Sequence, residues 1–248
     1  MTIRYWLAVV VALLVVACSG NEPVDTTRKA GAGRVGFVGE MSEAGEQLAT
    51  RLEREGRWLR YGGERFYMVG VDMQSLVNAG PWALGSDGYS GDFIPILDAL
   101  EAARVNKVRL WANTWFISPE RLYAQPFVRR ANGKYDLNVW DDAYWSRLRS
   151  FVEAARVRNI IVEYCLFSQY AQQEMADGTR PSNYWAAANN VNGAFEDTDG
   201  RTGLFEEFYK GTGGKIGDKN IIHYQDRLIA KAVVEIGGYG NVLFLVLN

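Results

Sequence analysis

Polar and aromatic side chains recur where the predicted strands of this sequence end and in the loops that follow. These residues are Asp72, Gln74, Trp111, Asn113, Trp115, Gln169, Trp185, Asn189 and Asn190. Carboxylates and amides exchange hydrogen bonds with hydroxyl groups, and aromatic rings offer flat apolar faces. The set therefore suits the recognition of a hydroxyl-rich ring such as a sugar. For the loop that carries Trp185, Asn189 and Asn190, an ordinary Asn/Gly-rich turn region explains the pattern equally well.

The hydrophobic pattern predicts an alternation of strands and helices that places these side chains. A hairpin comes first, with strands at 57–61 and 64–67 around the turn Gly62-Gly63, and a buried strand continues from Phe66 to Val71 and ends at Asp72. Further strands are predicted over Lys107–Trp111, Ile160–Phe167 and Val242–Leu247, and helices over about 92–105, 141–158 and 220–236. The first helix would turn Ile96, Leu97, Leu100 and Ala103 toward the core, and Asp141 would cap the second. This order is typical of an α/β fold with a parallel sheet.

Connection lengths favour a barrel over a doubly wound sheet. Helix-to-strand connections are about one residue long at Asn106 and Asn159, whereas the segments after the strands are long: 73–91, 112–140 and 168–219. Barrel enzymes build their sites from the loops that follow the strands. The first strand-to-helix turn also lacks the G-x-G-x-x-G pattern of dinucleotide-binding sheets.

Four stretches resemble the cellulase- and mannanase-like, family 5-type glycoside hydrolases of clan A. They are Phe66–Asp72, Asn106–Trp111, Asp142–Phe167 and Asn241–Asn248, so the resemblance covers about 57–248. It implies the N-terminal half of a (β/α)8 TIM barrel, truncated after the fourth strand, from an enzyme that cleaves a polysaccharide such as a β-mannan or a β-glucan.

The resemblance also implies roles for two residues. Arg109 would hold the nucleophilic carboxylate, because a guanidinium fork keeps a carboxylate ionised and aimed. The alternative is that Arg109 pairs with Glu163 of the neighbouring strand. Asn248 would bind the sugar 2-hydroxyl, and the acid/base Glu is expected at the next position, beyond the last residue of the sequence. Retaining glycosidases need two carboxyl groups about 5 to 5.5 Å apart, so the sequence as it stands is expected to be inactive.

The N-terminus resembles a bacterial lipoprotein signal peptide. Residues 6–17 carry no charge, which is too short for a membrane span of about 20 residues, and Val16-Ala17-Cys18 resembles a lipobox. We expect a signal peptide over 1–17, lipid attachment at Cys18, a tether and lead-in over 18–56, and the barrel half over 57–248. Ser19 is compatible with sorting to the outer membrane, facing the periplasm or the cell surface.

Composition excludes several other functions. A net charge of −2 without a basic stripe argues against nucleic acid as a partner. No metal or cofactor is predicted: the single histidine, His223, lacks partners for a zinc site or a catalytic triad, and it is expected at the surface. Cys165 is expected to be a small buried side chain. Besides the hydrolase, a non-catalytic glycan-binding surface lipoprotein and a barrel with unrelated hydrolytic chemistry remain as alternatives.

Overall fold

Strands and helices alternate along the chain in the order that the hydrophobic pattern predicts. The computed structural model describes residues 51–78, 92–114, 124–168, 181–193, 208 and 220–247. All of them belong to one unit of the chain, Gly45–Asn248. The predicted signal peptide, the lipid-attachment residue Cys18 and the predicted tether lie outside the described residues, as do Trp115, Gln169 and Asn248.

The first described element is a three-stranded antiparallel sheet formed by β1 (Leu52–Glu55), β2 (Trp58–Tyr61) and β3 (Glu64–Phe66). The predicted hairpin is β2–β3, which pairs Leu59 with Phe66 and Tyr61 with Glu64. Both turn glycines have positive φ, at 60° for Gly62 and 82° for Gly63, a conformation that costs a glycine little. The added strand β1 lies in the predicted lead-in, where no hairpin strand was expected.

The remaining elements follow in alternation. They are β4 (Gly70–Asp72), α1 (Ile94–Ala102), β5 (Lys107–Trp111), β6 (Phe127–Arg129), β7 (Tyr135–Trp140), α2 (Asp142–Arg156), β8 (Ile161–Phe167), a 3-10 turn (Ala187–Asn189), α3 (Asn220–Ile236) and β9 (Val242–Leu247). Strands β4, β5, β8 and β9 form one parallel sheet in that order. The fold is therefore mixed α/β with a parallel sheet, as the sequence predicts.

One face of the parallel sheet carries the hydrophobic core. Val108 and Leu110 of β5 and Val162, Tyr164 and Leu166 of β8 alternate onto this face, where they join a single buried cluster. The helices contribute fully buried side chains to the same cluster: Leu97 from α1, Leu148 and Phe151 from α2, and Leu228 and Ile236 from α3. Because side chains alternate along a strand, the intervening residues Lys107, Arg109, Trp111, Glu163 and Cys165 are left for the opposite face.

Local signals set the helix ends. The Asp141 carboxylate accepts a hydrogen bond from the Ala143 N–H (3.1 Å), so Asp141 caps α2 as predicted. Asp92 does the same for the Ile94 N–H (2.9 Å) at the start of α1. Just beyond α1 and α2, Arg104 and Asn159 each take a φ of 56°, and this left-handed turn lets the chain enter the next strand almost at once.

Three predictions about local structure were wrong. The strand expected over 66–71 is regular only from Gly70 to Asp72, where it pairs with β5, and Tyr67, Met68 and Val69 are 41–64% exposed. Ala103 lies beyond the end of α1 and is exposed. The segment expected to be a loop before α2 contains the antiparallel hairpin β6–β7, which the Asn132-Gly133 pair signals in the sequence.

None of the helices in the described ranges is both long enough and apolar enough to cross a membrane.

Burial predicts which side chains of α3 stabilise the fold. Leu228 is fully buried and Val234 is 80% exposed on the same helix. We expect Leu228→Ala to lower the free energy of unfolding by about 2–5 kcal/mol, because it leaves a cavity in the core. Val234→Ala should change it by less than about 0.5 kcal/mol. Urea denaturation followed by circular dichroism measures both, and equal effects of the two substitutions would contradict the placement of α3.

Candidate functional site

The carboxyl ends of β4, β5 and β8 bring the predicted polar residues to one edge of the sheet. Asp72 is the last residue of β4, Trp111 ends β5 with Asn113 two residues later, and Phe167 ends β8. The strands are parallel, so these ends lie side by side. Gln74 extends the edge past β4: its backbone carbonyl accepts a hydrogen bond from the Trp111 N–H (3.2 Å).

A row of charged side chains crosses the sheet below this edge. Strand register pairs Asp72 with Arg109 and Arg109 with Glu163. The guanidinium of Arg109 meets Glu163 at two points, Nε to Oε2 at 3.0 Å and Nη2 to Oε1 at 3.3 Å. Lys107 Nζ also forms an ion pair with Glu163 Oε2. Of the two interpretations of Arg109, the structure contains the pair with Glu163, and the role toward a nucleophile stays a prediction.

The surroundings move the pKa values of the two carboxyls in opposite directions. Partial burial acts to raise the pKa of Glu163, but hydrogen bonds from Arg109 and Lys107 and their positive charges outweigh burial and lower it. Asp72 lies at the partly exposed edge of the sheet, where loss of solvent around the carboxyl raises its pKa despite the charge of Arg109 and a hydrogen bond with the Gln74 side chain. Glu163 is therefore the carboxylate held ionised beside the two cations.

The next row toward the carboxyl ends is uncharged. Register places Trp111 beside Cys165 and Cys165 beside Leu245. Cys165 is buried as predicted, its Sγ–H donates to the Phe167 carbonyl (3.1 Å), and burial raises the pKa of the thiol to about 12. Only 3% of Trp111 is exposed, and its indole N–H has no hydrogen-bond partner among the described residues.

A buried amide, Asn183, ties the loop after β5 to the loop after β8. Its side-chain oxygen accepts hydrogen bonds from Asn113 Nδ2 (2.8 Å) and from the Trp185 N–H (3.3 Å). Its backbone carbonyl accepts one from Asn189 Nδ2 (3.0 Å). The side chain of Asn183 is fully buried, so one residue holds three of the predicted site residues in place.

Gln125 makes a second link between the same loops. Its side-chain amide donates to the Ser182 carbonyl (2.6 Å) and to the Tyr135 hydroxyl (3.3 Å), and its oxygen accepts from the Thr114 N–H (3.4 Å). Sequence analysis singled out neither Gln125 nor Asn183. Both lie in the long segments after the strands, and nothing in a single sequence marks an amide there as buried.

The amides of Asn189 and Asn190 serve the backbone of their own loop. Asn190 Nδ2 lies within 2.9–3.4 Å of the carbonyls of Tyr184, Trp185 and Ala186, and its oxygen accepts from the Asn192 N–H (3.1 Å). Trp185 is fully buried among aromatic rings, 5.0 Å from the ring of Tyr184 and 5.4 Å from that of Phe208. These contacts match the turn-forming interpretation, and sugar binding through the three residues stays a prediction.

His223 is exposed on α3, where it was expected. No group of three or more His, Cys, Asp or Glu side chains among the described residues could hold a metal ion.

Solved structures similar to this chain include several mannanases and a family 5 mannosidase. The β-mannanase from the blue mussel Mytilus edulis is 17% identical, with a TM-score of 0.47, over 81% of this chain and 46% of that one. The endo-1,4-β-mannanase from Rhizomucor miehei is 12% identical, with a TM-score of 0.49, over 80% and 48%. The family 5 mannosidase from the same organism is 13% identical, with a TM-score of 0.47, over 82% and 49%. The chain thus spans about half the length of these proteins or less. No protein-family model and no curated protein matches it.

The Asn183 amide should matter more to stability than an exposed amide does. We expect Asn183→Ala to lower the free energy of unfolding by about 1–3 kcal/mol, because it leaves the buried Asn113 amide without its acceptor. Asn138 is a matched control: it is exposed on β7, where its side chain accepts from Arg227 (3.1 Å). Asn138→Ala should cost less than about 0.5 kcal/mol in the same urea titration. A cost for Asn183→Ala no larger than the control's would contradict the linking role.

Proposed function

We propose that this chain is the N-terminal half of a (β/α)8 barrel, cut after its fourth strand, from a retaining glycoside hydrolase. The order of the parallel strands supports the barrel. Successive strands β4, β5, β8 and β9 are neighbours without a reversal of direction, whereas a doubly wound sheet reverses its order at a switch point. The core face that α1, α2 and α3 share is also what a barrel requires, because its helices form one outer layer.

The position of Arg109 is the observation that carries the enzymatic proposal. Arg109 lies on the face of the sheet away from the helices, in the row just below the carboxyl ends, and Glu163 holds it at two points. The inward face of a barrel strand near its carboxyl end is where barrel enzymes place catalytic groups. An arginine there supplies fixed N–H donors to a carboxylate, which is the role that the resemblance to clan A gives it.

In the proposed reaction the complete protein uses two carboxyl groups. One protonates the leaving oxygen and the other attacks the sugar, and the first then activates water to release the product. The acid/base Glu would follow Asn248, and the nucleophile would come from a seventh strand. Within this chain, Asn248 would bind the sugar 2-hydroxyl and Arg109 would orient the nucleophile. The edge residues Asp72 and Gln74 would bind sugar hydroxyls, and the buried Asn113 would hold the loop beside them. The substrate would be a β-mannan or a β-glucan.

The coding DNA after codon 248 tests this proposal directly. We expect a Glu codon next, followed by four more strand–helix units, and hydrolysis of β-mannan or β-glucan by the full product. Arg109→Lys should then lower kcat/KM by about 10²-fold, because the lysine ammonium cannot form the two parallel hydrogen bonds of a guanidinium. Arg129→Lys is the control, since Arg129 is exposed and its Nε donates to the Gly133 carbonyl (2.9 Å) in the β6–β7 turn. Reducing-sugar release measures both variants.

A stop codon directly after Asn248 would overturn the enzymatic proposal. The second candidate function, a non-catalytic glycan-binding surface lipoprotein, would then take precedence. Isothermal titration with mannan and glucan oligosaccharides would test it. Equal activity of the Arg109→Lys and Arg129→Lys enzymes would instead contradict the role given to Arg109 while leaving the enzyme class intact.

We also propose that a lipid on Cys18 anchors the mature protein in the outer membrane of a bacterium, facing the periplasm or the cell surface. The uncharged stretch 6–17 and the sequence Val16-Ala17-Cys18 support this proposal. Acyl chains contribute about 0.8 kcal/mol per buried methylene, so several chains on one cysteine suffice as an anchor.

Substitution of each cysteine in turn tests whether the lipid is attached at Cys18. Cells fed an alkyne-tagged fatty acid should label the wild-type protein and the Cys165→Ala variant, because Cys165 is buried. Cys18→Ala should lose the label and leave the membrane fraction. Label that persists in Cys18→Ala would contradict attachment at this residue.

A further inference from the structure

Glu163 contacts two cations of β5, Arg109 and Lys107, on a sheet face that also carries Asp72 and several apolar side chains. Register aligns Glu163 with Arg109 on one side and with Leu243 on the other. Ile161, two residues earlier on β8, pairs with Lys107. Ile161 and Leu243 show that aliphatic side chains fit this face, so the sheet itself does not demand a carboxylate at position 163.

The contacts of Glu163 fix one guanidinium orientation. Two parallel hydrogen bonds, Nε–Oε2 at 3.0 Å and Nη2–Oε1 at 3.3 Å, hold the plane of the Arg109 guanidinium close to that of the carboxylate. A single-point contact would leave rotation about the last side-chain bonds, whereas a bidentate pair restricts it. The side chains are only 25% (Arg109) and 15% (Glu163) exposed, so water competes weakly for these bonds.

Lys107 keeps the carboxylate of Glu163 charged. Its Nζ forms an ion pair with Glu163 Oε2, the same oxygen that accepts from Arg109 Nε. Burial alone would raise the pKa of Glu163 and favour the neutral acid. The neutral acid can accept fewer hydrogen bonds than the carboxylate. The hydrogen bonds and charges of Arg109 and Lys107 instead lower this pKa. Lys107 therefore supports the pair without contacting the edge of the sheet itself.

A gain in stability is a weak explanation for the partly buried ion pairs of Glu163 with Arg109 and Lys107. Removing charges from water costs several kcal/mol per ion, and a buried ion pair often does no better than well-packed apolar residues of similar volume. An ion pair can fix the direction of the N–H donors of a functional arginine. An apolar pair cannot do this.

We infer that Glu163 is a positioning residue, which sets the direction of the Arg109 guanidinium toward the reacting carboxylate, and that Lys107 supports it. The inference rests on the proposed function. It assigns to Glu163 no contact with the substrate and no proton transfer. Its effect passes entirely through Arg109.

Kinetics and NMR spectroscopy of the full gene product test the inference together. Glu163→Gln keeps the side-chain shape but loses the charge and one acceptor oxygen. We expect kcat to fall about 10-fold or more while KM changes less than 3-fold, because substrate contacts are left intact. In the 1H–15N spectrum, the Arg109 Nε–H signal, assigned from its loss in Arg109→Lys, should be sharp in the wild type and broadened or shifted in Glu163→Gln.

A surface ion pair supplies the matched control. Glu153 pairs with Arg156 on α2, with Oε1–Nη2 at 2.7 Å, and Glu153 is 43% exposed. Glu153→Gln should leave kcat, KM and the Arg109 signal unchanged. Lys107→Met should give a smaller loss of kcat than Glu163→Gln, because it leaves the two-point contact in place.

The outcomes separate the two proposals. If the wild-type full product hydrolyses no glycan, the proposed function fails, and the Arg109 signal still reports whether Glu163 fixes the guanidinium. If the wild type is active and Glu163→Gln keeps its kcat, the positioning role is overturned. If Glu163→Gln does not fold by circular dichroism, Lys107→Met decides, and an unchanged kcat in that folded variant would overturn the inference.

Discussion

The pairing of Glu163 with Arg109 and Lys107 is the constraint on which the polar face of the sheet depends. A partly buried charge on a sheet face is costly unless an opposite charge lies within reach on a neighbouring strand. The register of β5 and β8 meets this condition, since it sets Arg109 directly beside Glu163. A slip by one residue would turn Arg109 and Lys107 into the hydrophobic core beneath the helices. The ion pairs and the apolar core therefore select the same register.

The edge of the sheet above this row is held by amides instead of charges. Asn183 and Gln125 connect the loops after β5 and β8 through buried hydrogen bonds, and Asn190 closes the second of these loops on itself. Loops are generally more mobile than the strands and helices that they connect, and these buried hydrogen bonds oppose that tendency. The ion pairs of Glu163 therefore fix the Arg109 guanidinium, and the hydrogen bonds of Asn183 and Gln125 fix the loops beside it.

Much of the fold was predictable because it is encoded locally. The bounds of β5, α3 and β9 follow directly from runs of apolar residues, and Asp141 marks the start of α2 as an N-cap. The site was predicted less completely. The sequence indicated Asp72, Arg109 and Asn113 at the strand ends, but it gave no indication of Asn183 or Gln125. A buried asparagine or glutamine looks the same in the sequence as an exposed one. Only its hydrogen-bond partners, which lie far away in the sequence, distinguish the two.

The sequence by itself therefore determined the α/β alternation, the edge of the sheet at which polar residues gather, and the resemblance to clan A, because periodicity and motif spacing are local properties of the chain. Tertiary structure alone established that Arg109 pairs with Glu163, since strand register brings the two side chains to 3.0 Å although they lie 54 positions apart in the sequence. It also decided that β4 is short: only Gly70, Val71 and Asp72 pair with β5, and Tyr67, Met68 and Val69 remain outside the ladder. Long-range pairing fixes these features, and no local pattern reports it.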